Sequence, residues 1–143
     1  MRPLLALTTL LTFAALATTA QTPGVTFLDH EKVATALAKG GVLTSASNLI
    51  VQGASRTAAG QVEVHDKETD VLYITEGEAT FVTGGTMVGG KVTAPGQQRG
   101  TDIKGGESRH LVKGDVIVVQ AGIPHWFKEL KSVNYLVVKV LKP

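Results

Sequence analysis

Beyond residue 45, apolar and polar residues alternate in short runs that turn residues separate. The runs are 48–56, 61–65, 71–75, 79–83, 116–120 and 135–141. Side chains alternate between the two faces of a strand, so this pattern predicts half-buried strands. Glycine pairs, Glu-Gly and Lys-Gly-Asp lie between the runs and predict turns. Several short strands of this kind, without an internal repeat, predict one β-sandwich or barrel.

A single helix is predicted ahead of these strands. Asp29 is a suitable N-cap, and the apolar residues Val33, Ala36 and Leu37 then share one helical face up to Lys39. Two glycines follow and predict the end of the helix. The predicted fold class is therefore all-β, a single barrel with a short N-terminal helix.

The first twenty residues have the pattern of a secretory signal peptide. Arg2 gives a positive start, residues 4–17 are uncharged and mostly apolar, and small residues lead to Ala20. A membrane anchor is the alternative, but fourteen helical residues span about 21 Å, less than the ~30 Å of a bilayer core. We predict cleavage after Ala20 and export to the periplasm or the extracellular space. The mature chain would hold a helix and lead-in at 21–44 and the barrel at 45–143, with no membrane association after cleavage.

Composition removes several classes of function. The chain of 143 residues has no cysteine, which excludes disulfides, thiolate metal sites and a cysteine nucleophile. The net charge is only +2 and the basic residues are scattered, so no nucleic-acid partner is expected. The serines lack the context of a nucleophile elbow.

The segment 84–106 breaks the strand rhythm. It holds 8 glycines in 23 residues, too many for a continuous core strand. Long loops inside compact domains are usually functional or disordered. Two interpretations stay open, a flexible hairpin tip and a flap over the mouth of a cavity.

Four side chains carry the candidate chemistry. Glu63 and His65 are two residues apart in a predicted strand and therefore point to the same face. Asp70 and His125 lie beside other predicted strands, so all four converge only if those strands adjoin. If the shared face is the barrel interior, these groups must be paired or bind a metal, because buried charge is otherwise costly.

The spacing of these residues resembles the two motifs of the cupin superfamily. The first family motif is His-x-His, three or four residues, Glu, six residues and Gly; the second is Gly, five residues, Pro-x-Gly-x2-His-x3-Asn. This chain has Glu63-x-His65-x4-Asp70-x6-Gly77 and Gly114-x5-Gln120-x-Gly122-x2-His125-x3-Glu129. The stretches DVLYITEGEATF and KGDVIVVQAGIPHWF are also similar to cupin strands and turns.

The resemblance implies a double-stranded β-helix, or jelly-roll, barrel. It puts Glu63, His65, Asp70 and His125 at the four metal-ligand positions. Two of them depart from the motif: Glu63 replaces the first histidine, and Asp70 replaces a glutamate that is one methylene longer. The resemblance also suggests a homodimer through edge strands.

Considered without the family, His65, Asp70 and His125 form the set of two histidines and a carboxylate that non-haem iron enzymes use. Glu63 would be a fourth ligand or a catalytic general base. The expected cofactor is a divalent ion, with Fe, Mn or Zn all compatible. The metal-free alternative is two hydrogen-bonded pairs, Glu63 with His65 and Asp70 with His125.

The sequence therefore predicts an exported protein that binds a divalent metal and a small organic molecule inside the barrel. Family resemblance makes dioxygenase, isomerase or lyase chemistry the expectation. A non-catalytic module that captures a small molecule or a metal is the alternative, so the residues alone leave it open whether the protein is an enzyme.

Overall fold

A computed structural model describes residues 22–143, and the predicted signal segment 1–20 lies outside them. Helix α1 spans His30–Lys39. Eleven strands follow: β1 (Gly41–Ser45), β2 (Leu49–Arg56), β3 (Val62–His65), β4 (Glu68–Thr83), β5 (Thr86–Val88), β6 (Lys91–Ala94), β7 (Gln97–Gly100), β8 (Asp102–Lys104), β9 (Glu107–Val112), β10 (Val116–Val119) and β11 (His125–Leu141). Within 22–143, no helix is long and apolar enough to span a bilayer.

The helix begins and ends where the sequence predicts. The Asp29 side chain accepts a hydrogen bond from the Lys32 backbone N–H at 2.9 Å, which caps the first turn. At the other end, Gly40 has φ of 76° and its N–H bonds to the carbonyl of Ala36. Helix α1 packs closely on β2, where a Cβ at Gly53 would lie 2.4 Å from the Ala36 backbone. Glycine at position 53 thus allows the helix to approach the sheet.

The strands pair antiparallel throughout. One sheet runs in the order β1-β2-β11-β3-β7-β6, and β4 pairs with β11, β9 and β10. The two longest strands, β4 and β11, run side by side over most of their length. Because β11 also pairs with β2 and β3, and β4 with β9 and β10, this central pair joins the two groups of strands.

Long strands are the main difference from the sequence prediction. The two runs predicted at 71–75 and 79–83 are both parts of β4, which passes through Gly77 at φ of 76°. A Cβ there would lie 2.2 Å from the Ser132 carbonyl oxygen, so glycine is required where β11 crosses closely. Strand β11 begins at His125 rather than Tyr135. The structure adds β9, and it adds β1 within the segment expected as a lead-in.

An apolar core fills one part of the barrel interior. Its fully buried side chains come from β3, β4 and β11 and include Phe81, Ile74, Val62 and Val133. Phe81 and Phe127 meet edge to face with their ring centroids 4.6 Å apart, and both rings fill the barrel interior. Tyr73, on the same strand as Phe81, is 44% exposed and lies on the outer face.

The glycine-rich segment 84–106 forms four short strands. Strands β5 and β8 pair with each other, while β6 and β7 form a hairpin whose β7 strand pairs with β3. Glycine is needed at position 100, where a Cβ would lie 2.4 Å from the Met87 side chain. Strands β6 and β7 join the barrel sheet beside the predicted site, while β5 and β8 form a separate two-stranded sheet, so the segment is not a free hairpin tip.

Candidate metal centre

Strand register brings the four predicted donors to one end of the barrel. On β3, Glu63 lies between its cross-strand neighbours Arg99 on β7 and His125 on β11. His65, two residues further along, faces the same pocket. On the adjoining strands, Asp70 of β4 is opposite Lys139 of β11. The predicted convergence of Glu63, His65, Asp70 and His125 is therefore present in the structure.

The imidazole Nε2 atoms and the carboxylate oxygens form a compact cluster. His65 Nε2 lies 3.5 Å from Glu63 Oε2 and 3.5 Å from Asp70 Oδ2. His125 Nε2 lies 3.8 Å and 3.7 Å from the same two oxygens. The two imidazole rings are tilted, with centroids 5.1 Å apart. Each histidine thus contacts both carboxylates, rather than forming the two separate pairs of the metal-free alternative.

Hydrogen bonds behind the site hold the Nδ1–H group of both histidines. Gln97 donates its amide N–H to Glu68 at 2.7 Å, which leaves its carbonyl oxygen to accept from His65 Nδ1. His125 Nδ1 donates to the Ile123 carbonyl at 3.0 Å. Both rings therefore carry Nδ1–H and direct Nε2 toward the carboxylates. This outer hydrogen bonding is typical of histidines that bind metals.

Three of the four candidate ligands are more deeply buried than the other polar side chains that the structure describes. Among residues 22–143, the buried polar or charged side chains are His65, Asp70 and His125, at 3%, 5% and 6% exposure. Glu63 is half-buried. The other two histidines, His30 and His110, are exposed. Three of the four candidate ligands are thus the groups for which burial is most costly without a partner or a metal.

Three residues that the sequence analysis missed complete the cluster. Lys139 Nζ donates to Glu68 at 2.9 Å and to the two Asp70 oxygens at 3.1 and 3.3 Å. The same ammonium group lies 3.3 Å from His65 Nε2. Gln97 and Glu68 hold the far side of His65. A lysine is therefore already bound to one of the predicted metal ligands.

The two histidines have opposite electrostatic environments. Burial lowers the pKa of His65, but its contacts with Asp70 and Glu63 outweigh this and raise the pKa to about 9. Burial dominates at His125 and lowers its pKa, despite the bond to Ile123 and the nearby Asp70. Without a metal at neutral pH, His65 is an imidazolium and His125 a neutral imidazole.

The carboxylates are held ionised. Burial raises the pKa of Glu63, but the hydrogen bond with His65 and the charge of Arg99 outweigh this effect and lower the pKa to about 2. Burial also opposes ionisation of Asp70, yet His65 and Lys139 lower its pKa overall. Both carboxylates are therefore negative at neutral pH, which is the state in which a carboxylate binds a metal.

The donor set fits a divalent metal. Ligands about 2.1 Å from a tetrahedral metal are about 3.4 Å apart, close to the four imidazole–carboxylate separations of this cluster. Ligand atoms of Glu63, His65 and His125 all lie within 4.8 Å of one another, and so do those of His65, Glu68 and Asp70. Lys139 is engaged with the second group. The first group, two imidazoles and a carboxylate, contains neither of the two carboxylates that Lys139 binds.

A cavity of about 410 Å³ opens onto this cluster. Its wall includes Trp126, whose indole N–H bonds to the Gly60 carbonyl at 2.7 Å. Arg56 and Arg99 also line it, as do the aromatic rings of Phe127 and Tyr135. The pocket thus offers a metal-binding cluster next to room for a small molecule.

The fold is a cupin-like, double-stranded β-helix barrel. A cupin superfamily protein from Desulfitobacterium hafniense is 17% identical, with 71% of this chain and 75% of that chain covered and a TM-score of 0.50. A Klebsiella pneumoniae protein with a double-stranded β-helix domain is 14% identical, with coverage of 70% and 73% and a TM-score of 0.50. A Thermus thermophilus protein is 20% identical, with coverage of 71% and 81% and a TM-score of 0.51.

No protein-family model matches the sequence, and no curated protein does. The structural similarity at these low identities shows the fold. It confirms the predicted all-β cupin-like barrel with a short N-terminal helix. Metal binding and activity must be argued from the pocket itself.

Proposed function

We propose that this exported protein binds one divalent metal ion, Fe, Mn or Zn, through Glu63, His65, Asp70 and His125 and acts on a small organic molecule in the adjoining cavity. The observation that carries the proposal is the convergence of two imidazole Nε2 atoms and two carboxylates, with each Nδ1–H held by an outer acceptor. Export rests on the signal-like sequence of residues 1–20.

The bound ion would polarise substrate oxygens as a Lewis acid and, as iron or manganese, support dioxygen chemistry. Glu63, His65, Asp70 and His125 would hold it. Lys139 keeps its proton, because Glu68 and Asp70 raise its pKa against the effect of burial. Its ammonium group is placed to stabilise negative charge on a substrate oxygen. Trp126 and Phe127 line the same cavity.

Metal analysis of the mature chain tests this proposal. Purified protein is stripped with a chelator and reloaded with Fe²⁺ under anaerobic conditions, or with Mn²⁺ or Zn²⁺. We expect about one equivalent of bound metal in the native sequence and less than about a tenth in His65→Ala and His125→Ala. His110→Ala is the matched control, because His110 is exposed and pairs with Glu78 at the surface. Absence of bound metal in the native protein would overturn the proposal.

The alternative is a non-catalytic binding module. The pairing of Lys139 with Glu68 and Asp70 favours it, because this pairing satisfies two of the acids without an ion. On this alternative, small-molecule binding persists in His65→Ala and His125→Ala, and no bound compound is converted. Loss of metal and turnover together in these variants supports the enzyme.

A further inference from the structure

Two arginines lie beside the candidate metal centre and have no role in holding it. The Nη2 atoms of Arg56 and Arg99 each lie 3.6 Å from the same oxygen of Glu63, Oε1. The other oxygen, Oε2, faces the histidines. The two guanidinium groups therefore stand together on the side of Glu63 that is turned away from the imidazoles.

Most of the donor capacity of these groups is uncommitted. A guanidinium carries five N–H donors. Arg56 donates from Nε to the Tyr135 hydroxyl at 2.9 Å, which orients the group, and it lies over the Phe127 ring at 5.4 Å. Arg99 makes a long contact of 3.4 Å with the Gln98 carbonyl. Their contacts with Glu63 are longer than a hydrogen bond, so both groups have donors left for a ligand.

The arginines also lie where a ligand can reach them. Their side chains are 29% and 30% exposed, whereas that of Lys139 is 15% exposed and that of Asp70 is 7%. All four line the same cavity. An incoming molecule would thus meet the guanidinium groups before it reached the inner, buried donors.

Charge balance gives the sign of that molecule. Three acids and three cations line the pocket: Glu63, Glu68, Asp70, Arg56, Arg99 and Lys139. With neutral histidines these charges cancel, so a divalent ion leaves the pocket with an excess of two positive charges. The ion would also bind the negative carboxylate of Glu63, which weakens the attraction between that carboxylate and the two arginines. The resulting complement is a small anion with planar oxygens, which guanidinium groups bind best.

We infer that the substrate is a small organic acid, whose carboxylate binds to Arg56 and Arg99 while the rest of the molecule extends toward the metal. This rests on the proposed function, because the metal supplies the positive excess. The arginine pair is a specificity-determining site, since a neutral analogue of the same shape would leave the guanidinium groups without a partner.

Calorimetric titration of the mature chain with lactate and succinate, and with the neutral lactamide and succinamide, tests the inference. Each is titrated into metal-free and Mn²⁺-loaded protein. We expect at least one acid to bind roughly tenfold or more tighter than its amide, and more tightly to the loaded protein. Arg56→Gln and Arg99→Gln should each weaken that binding by roughly tenfold and leave the metal content unchanged. Arg109→Gln is the control, because it makes the same charge change outside this cavity.

The inference is overturned if acids and amides bind equally, if neither acid binds, or if Arg109→Gln weakens binding as much as the pocket variants do. Failure of the proposed function is separate, because it shows as absent metal. In that case the titrations of the metal-free protein still decide whether the arginines select the acid. Circular dichroism of each variant ensures that a lost response is not a lost fold.

Discussion

The interior of the barrel has an apolar half and a polar half, and the same two strands build both. Along β11, Phe127, Val133, Tyr135 and Val137 are buried in the core. The first residue of the strand, His125, and Lys139 near its other end both line the pocket. Strand β4 repeats this arrangement, with Asp70 in the pocket and buried apolar residues beyond it. One inward-facing pattern thus serves two kinds of interaction.

The two halves differ in how their stability arises. In the apolar half, each side chain gains from many weak contacts and needs no particular partner. In the polar half, every buried charge needs an opposite charge or a hydrogen bond. Within 22–143, no buried side-chain nitrogen or oxygen lacks a partner. The polar half therefore depends on specific pairs, and changing one partner should affect it more selectively than changing a core residue.

Truncation in the apolar half should have the largest effect on stability. Phe81→Ala removes a fully buried ring that contacts Phe127. We expect a loss of about 3–5 kcal/mol in the free energy of unfolding, measured by chemical denaturation. Tyr73→Ala, on the exposed face of the same strand, is the control and should cost clearly less. Equal losses would contradict the assignment of these two faces.

Removal of the half-buried Lys139 should show how the polar half differs from the apolar half in its response to metal. Lys139→Met leaves Asp70 and Glu68 without their cation, and breaking a buried ion pair costs about 3–5 kcal/mol. The burial here is incomplete, so we expect about 2–3 kcal/mol. Thermal unfolding of stripped protein, with and without Mn²⁺, measures the change. Added metal should recover more stability in this variant than in the native protein, because the lysine no longer competes for Asp70.

Lys113→Met provides the comparison for that experiment. Lys113 pairs with Glu76 at 2.7 Å, but both side chains are more than 60% exposed. A pair this exposed contributes little to stability, because water and salt screen its charges. A similar loss in both lysine variants, or a Lys139→Met protein that metal does not stabilise further, would show that the lysine has no part in the metal centre.

The sequence predicted much of this arrangement because its alternation is regular in the relevant strands. The spacing of two residues put Glu63 and His65 on one face, and the motif spacing brought in Asp70 and His125. Lys139 follows the same alternation from Tyr135 and Val137. Its role was missed because only the pairing of β11 with β4 shows that it lies opposite Asp70.

Gln97 and Arg99 were beyond the reach of pattern analysis for a different reason. They lie in the glycine-rich segment, where no hydrophobic period indicates which side chains point inward. Their positions depend on the pairing of β7 with β3, which sets Gln97 opposite His65 and Arg99 opposite Glu63. Short strands without an apolar face gain their register from such tertiary pairing rather than from local sequence.

The smallest change, a change of pH, should alter only the polar half. In the metal-free protein the pKa of His65 is raised from 6.5 to about 9. Its stabilising contribution is therefore complete below pH 6.5 and is lost as the pH rises through 9. Metal binding has the opposite dependence, because the ion requires neutral His65. We expect the apparent affinity for Mn²⁺ to increase about tenfold per pH unit between pH 7 and 9.

Trp126, the single tryptophan of the chain, lines the pocket and gives a fluorescence signal for that titration. His110→Ala should keep the native slope, because the His110 imidazole is exposed and pairs with Glu78 at the surface, outside the pocket. The stability of the metal-free protein should fall over the same pH range in which the affinity rises. An affinity that does not change between pH 7 and 9 would mean that His65 is already neutral in the metal-free barrel, and that Lys139 alone balances the buried carboxylates.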